Sequence, residues 1–212
     1  MDPWESLLVL LPEEWRVCLE RTSKAILGQV QEIRVRQGQP ILAYGVFGER
    51  VLTIDGLADK WGRVLTTKPE QIRHLLATIS QNSIYALETE LRAGYVTING
   101  GHRIGLSGRA ITEAGRVRTL KYISGFNMRL ARQVVGCASP LLPYVLTAEG
   151  QLCSTLLVAP PQGGKTTMLR DLVRTLSWGA ACPRGYKIVV VDERSEIAAC
   201  YQGVPQLDVG PR

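Results

Sequence analysis

Histidine and paired cysteine are what this chain has least of. Its 212 residues include two histidines, His74 and His102, and five scattered cysteines, Cys18, Cys137, Cys153, Cys182 and Cys200. No Cys-x-x-Cys pair occurs, so neither a zinc site nor a disulfide framework is expected, and reduced thiols in a reducing compartment follow. Long apolar runs are also lacking: none reaches the roughly 18 uninterrupted residues that a membrane-spanning helix needs. The opening Met1-Asp2-Pro3-Trp4-Glu5 is acidic, without the positive region of a secretory signal. The expectation is a cytosolic chain. No internal repeat or low-complexity tract appears.

What is present fits one large domain or two small ones with an ordinary core: 45% of residues are hydrophobic. The net charge of +6 is a mild excess and weak evidence for nucleic acid. Its distribution is uneven. Between Gly101 and Arg132 seven cations (Arg103, Arg109, Arg116, Arg118, Lys121, Arg129, Arg132) face one acid, Glu113.

The first half reads as α+β. Trp4, Leu7, Leu8 and Leu11 form an apolar stripe on two short helices broken at Pro12. Val30 to Arg36 suits a half-buried strand, and Ile41 to Tyr44 with Val51 to Ile54 suits a hairpin. Thr67-Lys68-Pro69-Glu70 reads as a capping box with Thr67 as N-cap, followed by Ile72, Leu75, Leu76 and Ile79 at helical spacing. A shorter helix is expected over Tyr85 to Leu91. Strands are expected at Tyr95 to Ile98, Arg103 to Ile111 and Val117 to Ile123, the last ended by Ser124-Gly125. Gly105 and Gly108 mark bulges or close backbone approach. Cys137 to Gly150 reads as a helical connection, and the domain boundary is placed so that residues 1–136 and 137–212 separate.

The second part has a βαβ pattern: a buried strand Ser154 to Val158, a glycine-rich loop, a helix from Lys165 to about Ser177 with Met168, Leu169, Leu172 and Leu176 on one face, and an apolar strand Ile188 to Val191. The loop, Ala159-Pro160-Pro161-Gln162-Gly163-Gly164-Lys165-Thr166-Thr167, matches G-x-x-x-x-G-K-[ST] except for Ala159. The glycines let backbone N–H groups approach phosphate oxygens, Lys165 supplies an ammonium to the β and γ phosphates, and Thr166 a hydroxyl to Mg²⁺. A chance match is the competing account, and the flanking strand and helix argue against it. ATP with Mg²⁺ is the expected ligand. Asp192-Glu193 closes the apolar strand where carboxylates hold Mg²⁺ through water or orient the attacking water. The bland alternative is a solvated acidic turn. Only 46 residues follow Thr166, whereas a doubly wound domain commonly needs about five parallel strands. The sheet as written has two, which reads as an incomplete ATPase domain.

The chain resembles the stage III sporulation protein AA family, ATPases similar to the motor ATPases of type II and type IV secretion systems. The resemblance rests on Glu32-Ile33-Arg34-Val35-Arg36, on Gly94-Tyr95-Val96-Thr97 followed by Gly100-Gly101-His102-Arg103-Ile104-Gly105, and on Asn127-Met128-Arg129-Leu130-Ala131-Arg132. It continues through the phosphate loop, Asp192-Glu193-Arg194-Ser195-Glu196-Ile197 and Val204-Pro205-Gln206-Leu207-Asp208-Val209-Gly210. It implies an N-terminal α+β domain followed by the first part of a RecA-like (AAA+) P-loop ATPase domain, a hexameric ring, and a cytoplasmic motor peripheral to the mother-cell membrane, at the base of a channel to the forespore with other sporulation channel proteins. Asp192-Glu193 resembles the acidic box between the Walker motifs, with Glu193 positioning or activating water. Ala159 and Gln162 depart from the usual glycine-rich form.

For Arg103, Arg109, Arg129 and Arg132 three readings stand: phosphate contact across a subunit boundary, nucleic-acid contact, and a solvated, salt-bridged face. The resemblance favours the first over the second, so Arg129 and Arg132 are candidates for nucleotide contact and no nucleic-acid partner is expected. A nucleic-acid motor and a catalytically incomplete fragment remain the alternatives. Poor hydrolysis by these 212 residues alone, without a stable ring, is the expectation.

Overall fold

The computed structural model describes residues 3–81, 87–160, 163–179 and 185–211. The chain divides into two compact units, residues 1–131 and 132–212.

Unit 1 is α+β, with one seven-stranded antiparallel sheet. Three short helices, α1 (Pro3–Leu8), α2 (Glu13–Glu20) and α3 (Lys24–Leu27), precede β1 (Val30–Arg36), β2 (Leu42–Gly45), β3 (Gly48–Thr53) and β4 (Gly56–Ala58). Then come α4 (Pro69–Ile79), α5 (Glu88–Ala93), β5 (Tyr95–Thr97), β6 (Arg103–Glu113) and β7 (Arg116–Arg129). The order β4-β3-β2-β1-β7-β6-β5 consists of two meanders joined where β1 pairs with β7, Glu32 opposite Arg129 and Arg36 opposite Gly125. Trp15, Val30, Val35, Leu52, Leu75, Ile104, Phe126 and Met128 are buried in a single core. Burying a side chain of the Leu or Phe class stabilises by about 1.5–3 kcal/mol relative to leaving it exposed.

Local details depart from expectation in two places. At the start of α4 the N-cap is Lys68, not Thr67, and the return bond runs from the Lys68 N–H to the Gln71 side chain at 2.8 Å rather than to Glu70. Pro69 explains the shift: its fixed φ suits the first helical position and moves the cap one residue on. Ser124-Gly125 does not end β7, which continues to Arg129. A Cβ at Gly125 would stand 2.7 Å from the Val35 carbonyl oxygen, so this glycine serves close strand approach rather than a turn. Tyr85 lies outside the described residues.

His102, in the Gly-Gly-His-Arg motif, is buried. Its Nδ1 accepts the Ala131 N–H at 2.9 Å, which puts the ring proton on Nε2, 3.0 Å from Ser6 Oγ. This histidine ties α1 to the end of unit 1.

Unit 2 contains a 3₁₀ turn (Ser139–Leu141), α6 (Leu142–Val145) and the 14-residue α7 (Lys165–Trp178). The expected strands at 154–158 and 188–191 are absent as strands: both stretches lie in no ladder among the described residues. Leu156 is 87% exposed and Val189 91%. A strand exists only where a neighbour pairs its backbone, and apolar composition alone does not supply that neighbour.

Candidate nucleotide-binding site

The site begins at the helix that follows the glycine-rich loop. Gly164 caps α7 in the left-handed region at φ 77°, and the Met168 N–H makes the first helical bond to its carbonyl at 2.9 Å. The N–H groups of Lys165, Thr166 and Thr167 therefore precede the ladder, at the positive end of the helix dipole. The Gly163 N–H donates to the Pro160 carbonyl at 3.0 Å. Lys165 Nζ reaches back to the Ala159 carbonyl at 3.4 Å, so its ammonium stands over the loop. Pro161 and Gln162 lie outside the described residues.

The acidic turn is organised by two side chains. Asp192 Oδ1 accepts the Glu196 N–H at 2.8 Å, and Oδ2 accepts those of Ile197 at 2.8 Å and Ala198 at 3.0 Å. From α7 the buried Arg170 donates to the carbonyls of Ile197 and Glu196, the latter at 2.7 Å, and to that of Arg132 at 3.3 Å. Burial pulls the Arg170 guanidinium below its ordinary value, and the Asp192 carboxylate offsets part of that. These bonds lash the turn to α7.

The result is a cavity of about 480 Å³ whose lining includes Thr155, Leu157, Lys165, Thr166, Asp192 and Glu193. That volume lies within the roughly 300–1,000 Å³ of small-molecule sites. The donor set fits a polyphosphate: an ammonium, a hydroxyl, helix-start N–H groups, and at Gly164 nothing within 4 Å of where a Cβ would stand. A protein-held metal fits less well. Both Asp192 oxygens already serve backbone N–H groups, and no group of three or more His, Cys, Asp or Glu able to hold an ion occurs among the described residues. Thr166 and the exposed Glu193 are the oxygen-bearing side chains of this lining that would stand near a Mg²⁺ ion brought in by a polyphosphate.

Arg129 belongs to unit 1 and pairs with Glu32 at 3.0 Å; Arg34 pairs with the same carboxylate. Burial acts to raise the Glu32 carboxyl, but the two guanidinium groups outweigh it and hold it below the usual range. Arg132 begins unit 2, and its carbonyl accepts from Arg170. Arg103 stacks over Tyr95, 5.0 Å from the ring centre.

Sequence reasoning missed Arg170 and Asp171. It placed Met168, Leu169, Leu172 and Leu176 on one face of α7; of these, Leu176 belongs to the buried set, which is Arg170, Asp171, Thr175, Leu176 and Ser177. Asp171 accepts the Ala138 N–H at 2.8 Å and the Arg174 guanidinium at 2.9 Å. The available signal was the Asp171–Arg174 spacing, an i,i+3 pair that reads equally well as solvent-exposed.

The family model for sporulation stage III, protein AA matches residues 1–212. The chain belongs to the stage III sporulation protein AA family. The stage III sporulation protein AA of Bacillus subtilis (strain 168) is 41% identical over 203 residues, 96% of this chain and 62% of that relative. The chain thus spans less than two thirds of the length of the curated relative it matches. Among the described residues, no helix is long and apolar enough to cross a membrane.

Proposed function

We propose that unit 2 binds ATP with Mg²⁺ as the opening portion of a RecA-like motor ATPase that acts in sporulation, in a ring of identical subunits at the cytoplasmic face of a membrane channel between mother cell and forespore. The carrying observation is the convergence of Lys165, Thr166 and Glu193 on one cavity at the start of α7. Family membership supports the sporulation setting.

In this reading Lys165 and the helix-start N–H groups bind the β and γ phosphates. Thr166 offers its hydroxyl to the nucleotide-borne Mg²⁺, which when bound neutralises phosphate charge. Glu193 orients water, because its carboxylate is exposed in the cavity while that of Asp192 is committed to the turn. Asp192 is thus a positioning residue.

The test is titration of the 212-residue chain with a fluorescent ATP analogue in the presence of Mg²⁺. Saturable binding is expected, weakened at least about tenfold by Lys165→Ala, the loss of about 1.4 kcal/mol. Glu193→Gln is expected to leave binding within about twofold. Equal affinity in wild type and Lys165→Ala would sink the proposal.

A further inference from the structure

The β6–β7 hairpin outruns the sheet that carries it. β5 pairs with β6 only from Arg103 to Gly105, and β1 with β7 only from Gly125 to Arg129. Beyond these, Arg109 to Lys121 forms a two-stranded ribbon, largely exposed. Isolated two-stranded ribbons are marginal in water, so a projecting one needs a reason.

Three features of the ribbon are unusual together. Arg109 stands directly opposite Lys121, which places two cations on one face at cross-strand distance, an arrangement that is destabilising by itself. Among the described residues no carboxylate pairs with Arg109, Arg116 or Lys121; only Arg118 has one, Glu113 at 3.1 Å. Next, a bulge lies between the Ser107–Gly125 and Arg109–Lys121 pairs, with Gly108 alone on β6 facing Tyr122, Ile123 and Ser124 on β7. A Cβ on Gly108 would stand 2.8 Å from the Lys121 carbonyl oxygen, so the bulge depends on glycine there. The bulge holds Tyr122 at φ 51° and leaves the residue 78% exposed. Such a backbone is costly for a tyrosine and bulges commonly re-aim a side chain. Finally, a cavity of about 390 Å³ opens beside that side chain, lined by Leu76, Leu91, Leu120, Lys121, Tyr122 and Ile123.

We infer that this ribbon is a docking surface for an acidic protein segment carrying an apolar anchor. The anchor enters the leucine-lined cavity under Tyr122, and its flanking carboxylates neutralise the opposed Arg109 and Lys121. Scattered cations and a bulge also serve to blunt a sheet edge against aggregation. Edge protection requires neither opposed like charges nor a strained, outward tyrosine over an apolar cavity. A nucleic-acid strand would satisfy the cations and leave the cavity unused. A membrane-inserting hairpin would have an apolar tip, whereas this tip is Glu113-Ala114-Gly115-Arg116.

The experiment is fluorescence anisotropy on the full chain with two labelled peptides, one of glutamate and leucine around a single tryptophan and one of glutamate alone. The first is expected to bind at least about tenfold tighter than the second. The double variant Arg109→Ser with Lys121→Ser is expected to weaken it about tenfold. Tyr122→Gly, which adopts the bulge φ freely, is expected to weaken it about fivefold with the thermal midpoint unchanged or raised. The two variants are read separately, so that unfolding of one leaves the other decisive. Equal binding of the two peptides, no binding of either, or unchanged affinity in a folded variant would overturn the inference. So would tighter binding of an oligothymidine strand or of phosphatidylglycerol vesicles that displaces the peptide.

Discussion

Unit 1 closes around its own apolar core, whereas unit 2 is held by a polar set on one helix. In unit 1, Phe126, Met128, Ile104 and Val35 are fully buried between paired strands and helices. In unit 2 the buried face of α7 is led by Arg170, Asp171 and Thr175, while Leu156, Val158, Val189 and Val191 are exposed. The two units contain similar apolar segments but differ in backbone partners. Apolar sequence creates a demand for burial, and only a neighbouring strand or helix meets it.

The comparison breaks most readily at the cores. Phe126→Ala is expected to cost about 3–5 kcal/mol in urea unfolding, through lost transfer energy and a cavity. The matched change in unit 2, Val189→Ser, is expected to stay within about 0.5 kcal/mol, because that side chain is 91% exposed. A large loss at Val189 would show that unit 2 has an apolar core after all.

Next in size is the polar anchor. Arg170→Met removes the donor to three carbonyls, and a hydrogen bond to a charged group is worth about 1.5–3 kcal/mol. Hydrogen exchange is expected to speed up at the amides of Glu196, Ile197 and Ala198 while amides of β1 and β7 stay protected. Unchanged exchange in the turn would mean that Asp192 alone organises it.

The smallest effect is the pH dependence that Asp171 gives to unit 2. Burial acts to raise the Asp171 carboxyl, but the Ala138 N–H, the Arg174 guanidinium and the Gly136 N–H outweigh it and hold it below the usual range. A depressed folded-state value contributes stability above the unfolded value of about 3.9, lost as pH falls through the folded one. The stability of unit 2 is therefore expected to drop on acidification below about pH 4, and Asp171→Asn to remove that part of the slope. An unaltered slope in the variant would assign it to other carboxylates.

Much of unit 1 was legible because its signals are local. The alternation in Val30 to Arg36 and the Ile72–Leu75–Ile79 spacing each specify an element within a few residues. The loop of unit 2 was legible for the same reason: Gly164, Lys165 and Thr166 carry their geometry in sequence. Arg129 was not, since its pairing with Glu32 depends on the register of two strands 97 residues apart. Asp192 was half legible. Its carboxylate was found, but its engagement with three amides depends on how the turn folds.

By itself, then, the sequence determined the family, the α+β character of the first unit and the glycine-capped start of α7, because periodicity, capping and short motifs act over a turn or two of chain. The tertiary structure alone decided which charges are spoken for: Glu32 holding Arg129, Asp192 holding its own turn, Arg170 buried behind the site. It also left Arg109 and Lys121 facing each other on a projecting ribbon. Side-chain partners are set by strand register and helix packing, and these join residues that the sequence keeps far apart.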